Sequence, residues 1–174
     1  MPSLRGAVFT FFDLETNGLE HTTDILEIAG IRISSEKLFE GLEKGEEFHS
    51  FIRFRGSVNP HAYAVHKIDS MTLLEKGREL AIVLKDFSDF AQGSFLVGHN
   101  VVNFDIPILN HHCTQNSVLL RCKGALDTCV IAREQLERPS YRLSSLAEYY
   151  QVEHRPSHRA LDDAPYRYPC PLWR

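Results

Sequence analysis

An α/β domain around a mixed sheet is the fold class that this sequence predicts, on three observations. Ala7 to Leu14 is a near-continuous apolar run, as a strand buried on both faces shows. Two further β-branched or alternating runs follow it across short turns. From Leu80 onward, stretches with helical spacing alternate with short strand-like ones.

The first strand runs into Thr16-Asn17-Gly18, residue types that favour a turn. Ile25 to Ile33 reads as the second strand, and Glu47 to Phe54 alternates well enough for a third, so the three suggest an antiparallel meander. Leu80, Val83, Leu84, Phe87, Phe90 and Ala91 recur at three- and four-residue steps, the stripe of an amphipathic helix that Gly93 ends. Ser94 to Val97 is a short strand. Asn103 is placed to cap a helix through about His112, which tolerates Pro107 because it lies near the first turn. Ser145 and Glu148 have capping-box spacing for a late helix carrying Leu146, Tyr149 and Tyr150.

The 174 residues are the size of one domain, or of one domain plus a tail. A composition of 43% hydrophobic and 24% charged residues is that of a globular chain able to bury a core without staples. No apolar run approaches the ~20 residues of a membrane-spanning helix. Ala7 to Phe12 meets Asp13 directly, unlike a signal peptide, so the expectation is a soluble, cytoplasmic protein with no membrane association. Nineteen Lys plus Arg against 23 Asp plus Glu give a net charge of −4. That balance argues against a broad basic face for nucleic acid, but a few cations or metal ions in one cleft still suffice for a polyanion. Cys113, Cys122, Cys129 and Cys170 form no C-x-x-C pair and read as reduced bystanders.

Three places carry candidate chemistry. Asp13 and Glu15 are two apart on a strand, so both carboxylates leave one face. Side by side they repel by about 4 kcal/mol at 4 Å and an effective dielectric of 20, and at the end of a buried strand they call for a cation. Asp105 follows the strand that ends at Val97, where open α/β sheets gather ligand groups. His158 and Asp163 are five apart, within reach of each other if the intervening loop folds back. Hard oxygen ligands suit Mg²⁺ or Mn²⁺, and two such ions ~3.5–4 Å apart stabilise the attacking and leaving oxygens of phosphodiester cleavage. A histidine with pKa near ~6.5 takes a proton from the attacking water at neutral pH.

With these pieces the chain resembles the DEDDh 3′–5′ exonucleases, which have an RNase H-like fold. The matching motifs are Phe11-Phe12-Asp13-Leu14-Glu15-Thr16-Asn17-Gly18-Leu19, Val97-Gly98-His99-Asn100-Val101-Val102-Asn103-Phe104-Asp105 and His158-Arg159-Ala160-Leu161-Asp162-Asp163-Ala164. Between the first two, Ala64-Val65-His66-Lys67-Ile68 resembles the family's segment beside the substrate. The likeness is nearest to the proofreading exonucleases of the DNA polymerase III epsilon type. It implies a five-stranded mixed sheet in order 3-2-1-4-5 flanked by helices, strand 2 antiparallel to the rest, with the fifth strand near Ala125 to Ile131.

The resemblance further implies that Asp13, Glu15, Asp105 and Asp163 bind two Mg²⁺ or Mn²⁺ ions, with His158 as general base. Asp162 lies one residue off the family's spacing. Thr16, Asn17, Gly18, His66 and Asn100 are the implied substrate-binding residues. The implied reaction removes nucleotides from the 3′ end of single-stranded DNA or RNA, DNA favoured, and the implied associations include a polymerase partner. The competing class is a catalytically weak or inactive nucleic-acid-binding module of the same fold.

The implied exonuclease domain covers residues 1–164, leaving 165–174 as an atypical tail. Relatives continue past the last aspartate with a long helix. Here Pro165, Pro169 and Pro171 stand in its way; Pro165 alone is tolerable if a helix starts near Arg159, but Pro169 and Pro171 each remove a donor and clash with the preceding turn. His158 and Asp163 are therefore expected to be less firmly held than in relatives.

Overall fold

The apolar run that opens the sequence forms the central strand β1 (Val8–Thr16) of the computed structural model, which describes residues 5–40 and 45–151. It pairs antiparallel with β2 (Ile25–Ser34), Asp13 standing opposite Ala29 and Glu15 opposite Glu27. Ser34 caps the short helix α1 (Ser35–Phe39), and β3 (Glu46–Phe51) then pairs antiparallel with β2. Two short helices follow. Asn59 caps α2 (Pro60–His66), with Pro60 where its missing N–H costs nothing, and Asp69 caps α3 (Ser70–Lys76) through the Thr72 N–H at 2.7 Å. The amphipathic stripe becomes α4 (Leu80–Phe90), with Val83, Leu84 and Phe87 buried. β4 (Phe95–Gly98), α5 (Asp105–Gln115), β5 (Gly124–Asp127), α6 (Thr128–Gln135) and α7 (Leu143–Tyr149) complete the order.

The sheet order is β3-β2-β1-β4-β5, with β4 parallel to β1 and β5 parallel to β4. This is the five-stranded mixed sheet of the RNase H-like fold. Even-numbered side chains of β1 face one layer: Phe12 and Leu14 pack with Ile28 and Leu96 against Phe87 of α4 and Ile108 and Leu109 of α5. The opposite face gathers Phe9, Phe11, Ile31, Ile33 and Val97. Asp13 and Glu15 continue that second face beyond its apolar part, as the two-residue period requires.

Four local expectations are corrected. The third strand stops at Phe51 rather than Phe54, because the backbones of Phe51 and Arg53 turn to bond with Arg78. Asn103 does not cap α5. Its Nδ2 donates to Asn100 Oδ1, and Phe104 holds the cap position without a side-chain bond. Ser145 lies inside α7 and bonds Ser140 through its hydroxyl, so the late helix starts at Leu143 and not at a capping box. The segment expected as one strand near Ala125 to Ile131 divides at Asp127, whose carboxylate caps α6. His158, Asp163 and the tail lie outside the described residues.

Candidate active site

Where β4 ends, β1 continues. The β1–β4 register runs only from Phe9/Phe95 to Phe11/Val97, so the β4-facing edge of β1 beyond it has no strand partner. Asp105 fills that edge. Its Oδ1 accepts the Leu14 N–H at 3.3 Å, at the residue between Asp13 and Glu15. Two carboxylates from the strand and one from the start of α5 are thereby brought to the same stretch of β1. Among the described residues, no group of three His, Cys, Asp or Glu side chains is already closed around a common metal position, and Asp163, the fourth expected ligand, lies outside them. In donor chemistry the set fits a hard divalent cation, since every donor is a carboxylate oxygen.

Asp105 is 4% exposed, and burial is the main reason its carboxyl is pushed up to about 7. Its own N–H and that of Leu14 pull the value down, while the charge of Asp127 raises it further. A cation at this point would return Asp105 to its ionised form.

The loop from Gly98 to Phe104 delivers Asp105, and its shape is fixed by Asp127, a residue that sequence reading passed over as a catalytic neighbour. Asp127 is 5% exposed; Oδ1 accepts the N–H groups of Asn100 at 2.9 Å and Cys129 at 2.8 Å, and Oδ2 accepts that of Val102 at 3.1 Å. One side chain thus caps α6 and folds the preceding loop. Gly98 opens that loop because a Cβ there would stand 2.2 Å from Val101 Cγ1 and 3.1 Å from the Phe12 carbonyl. Asn100 adopts a left-handed conformation (φ 63°), tolerable for asparagine, and its N–H is one of those Asp127 holds. An Asp followed by a helix-forming run was the available signal for this cap.

The remaining expected residues divide between surface and interior. Thr16 donates its hydroxyl to the Gly18 carbonyl at 2.7 Å, closing the turn after β1. Asn17 Oδ1 accepts the Asn59 N–H at 2.7 Å, so this side chain joins the turn to the start of α2. A Cβ on Gly18 would meet Glu20 Oε2 at 2.7 Å and Thr23 Oγ1 at 3.0 Å. His66 is 1% exposed rather than at the surface; Nδ1 accepts the Ile68 N–H at 2.9 Å, and Nε2 has no hydrogen-bond partner. Burial holds its pKa down, against the charge of Glu27. Glu27 is itself buried, bonded to His49 Nε2 and directly across the strand pair from Glu15. Like charges opposite each other destabilise a sheet, and here the Glu27 carboxylate is engaged by His49.

His112 Nε2 bonds the Thr23 carbonyl at 2.8 Å, and Cys113 is buried. Cys113, Cys122 and Cys129 are free thiols. No helix among the described residues is long and apolar enough to cross a membrane.

Comparison with known proteins adds sequence kinship to this geometry. A family model described as exonuclease matches residues 10–168. The DNA polymerase III epsilon subunit of Rickettsia felis is 32% identical over 172 residues, covering 94% of this chain and 71% of that protein. A PolC-type DNA polymerase III of Caldanaerobacter subterraneus is 29% identical over 93% of this chain, and the chain spans only 11% of that much longer protein. Among solved structures, the zinc-bound complex of E. coli exonuclease I with single-stranded DNA superposes with a TM-score of 0.74 at 21% identity, covering 94% of this chain and 39% of that one.

Proposed function

The chain belongs to the exonuclease family, and on that premise we propose that it is a metal-dependent 3′–5′ exonuclease acting on DNA through two Mg²⁺ or Mn²⁺ ions. The observation that carries this reading is the bond from the Leu14 N–H to Asp105, which brings a third carboxylate to the strand between Asp13 and Glu15. A module that only bound nucleic acid would gain nothing from clustered anions facing a phosphate chain. DNA is favoured because the similar epsilon subunit and PolC proteins are DNA polymerase components, and the similar exonuclease I structure holds single-stranded DNA. A polymerase partner is proposed on the same ground.

In this mechanism Asp13, Glu15, Asp105 and Asp163 hold the ions. When bound, these supply charge stabilisation to the attacking and leaving oxygens. His158 removes a proton from the water that attacks the terminal phosphorus. The bond from phosphorus to the 3′ oxygen of the preceding nucleotide breaks, that oxygen takes a proton from water to become the new 3′ hydroxyl, and a nucleoside 5′-monophosphate is released. Thr16, Asn17 and Gly18 present the turn that receives the terminal nucleotide, largely through backbone groups, since the Thr16 and Asn17 side chains are engaged within the fold. Asn100, on the loop that leads to Asp105, contributes to holding the substrate strand. His66, expected beside the substrate, lies below the surface within the field of Glu27. The proposed catalytic domain is residues 1–164, with 165–174 a separate tail.

A 5′-labelled oligonucleotide incubated with Mg²⁺, beside the p-nitrophenyl ester of thymidine monophosphate, tests the assignment. Progressive 3′ shortening together with ester hydrolysis, both stopped by chelator, is expected. Ester cleavage without shortening would make this an enzyme of small nucleotides, and loss of neither substrate would leave a binding module.

A further inference from the structure

A cleft of about 600 Å³ opens between the β4–α5 loop, which leads to Asp105, and the α6–α7 connection. His99 and Asn100 form one wall, on the same loop that delivers Asp105; Arg133, Tyr141 and Arg142 form the other. Both arginines are exposed, and neither makes an ion pair among the described residues. Arg53, Arg78 and Arg121 by contrast are paired with Glu79, Asp86 and Asp89.

The Arg133 wall is held in place. Its guanidinium carbon stands 5.0 Å from the centroid of the Tyr141 ring. Tyr141 is anchored at three points: its hydroxyl donates to the Leu136 carbonyl at 2.8 Å and accepts the Arg138 N–H at 3.2 Å, and its carbonyl accepts from His99 Nε2 at 2.8 Å. Asp127 is an anion whose field reaches Arg133, yet its oxygens are taken by backbone N–H groups. A planar cation stacked on a fixed ring loses little freedom when an oxyanion arrives, and its fork of donors matches a phosphate.

The geometry points to this cleft as the seat of a backbone phosphate of single-stranded DNA on the 5′ side of the scissile bond, gripped by Arg133 and Arg142. Resting on the exonuclease assignment, the direction follows from the reaction: when the terminal nucleotide is removed, all the remaining strand lies on the 5′ side. The grip also reconciles a net charge of −4 with a polyanionic substrate, because two arginines without ion-pair partners among the described residues, in one cleft, replace a broad basic face.

Anisotropy of a 5′-fluorescein oligothymidylate, titrated in chelator at several salt concentrations, tests the cleft. The double variant Arg133→Ala/Arg142→Ala should bind roughly tenfold more weakly at low salt and lower the salt slope by about 1.4, some 0.7 per lost contact on a single strand. Arg133→Lys/Arg142→Lys should restore most of the slope, and Arg78→Ala/Arg121→Ala should leave it at the wild-type value. A wild-type slope in the alanine pair, or an equal drop in the control pair, overturns the proposal. Magnesium-dependent 3′ shortening by the wild type, run alongside, separates the two claims. Shortening with an unchanged slope removes the cleft alone, whereas a lowered slope without shortening removes the exonuclease assignment and leaves the cleft.

Discussion

Asp105 is the residue on which the site turns, because the fold buries its carboxyl and pushes it up to about 7. Between its unfolded and folded values the native state holds a proton that the unfolded chain has released. The stabilisation is therefore complete at acid pH and is lost as pH rises through the folded value. In metal-free protein this group therefore lowers stability as pH rises from about 4 to about 7. Thermal melts in chelator should show Asp105→Asn with a flatter dependence between about pH 4 and 8 than the wild type, and Mg²⁺ at a fixed subsaturating concentration should raise the wild-type melting temperature more than that of the variant. His158→Ala should slow turnover by roughly 10²–10⁴-fold with little change in oligonucleotide affinity, a split that kcat and KM resolve. Residues of this kind were legible in the sequence because their chemistry is local: Asp13 and Glu15 share a face by strand period alone. The burial of His66 was not legible, since what covers a side chain is decided by contacts distant in sequence.

At the scale of elements, the loop from β4 to α5 and the start of α6 act as one unit through Asp127. Asp127→Ala removes the α6 cap, worth about 1 kcal/mol, and leaves the Asn100 and Val102 N–H groups to water or to nothing, at about 1–3 kcal/mol if they stay buried. Hydrogen exchange should quicken at Asn100, Val102 and Cys129 while the β1–β2 pairing remains protected, and turnover should fall because Asp105 is no longer held in register. Equal exchange in variant and wild type would deny Asp127 this role. The strands and α4 were readable from periodicity, as Val83, Leu84 and Phe87 fall on one helical face. The short helices α1, α2 and α3 were not, because five to seven residues hold too few turns for a period to emerge. The misplaced caps at Asn103 and Ser145 share one cause: each side chain found a nearer polar partner, Asn100 or Ser140, than a helix N–H.

For the whole molecule, the sheet order places the end of β1 beside the end of β4, and that adjacency makes a site from stretches ninety-one residues apart. The order itself came from family likeness, since strand pairing across the sheet leaves no periodic trace in sequence. A chain of net charge −4 should bind oligonucleotide with a modest affinity that drops steeply with salt, readable as the slope of log affinity on log salt. The central claim is that Asp13, Glu15 and Asp105 share divalent ions. Mn²⁺ titrated into the full chain and followed by electron paramagnetic resonance tests it most directly. Two ions should bind the wild type, and both Asp13→Asn and Asp105→Asn should weaken at least one of them about tenfold or more, as removal of a charged ligand does. Wild-type protein that takes up no Mn²⁺, or variants that bind it as tightly as the wild type, would contradict the account.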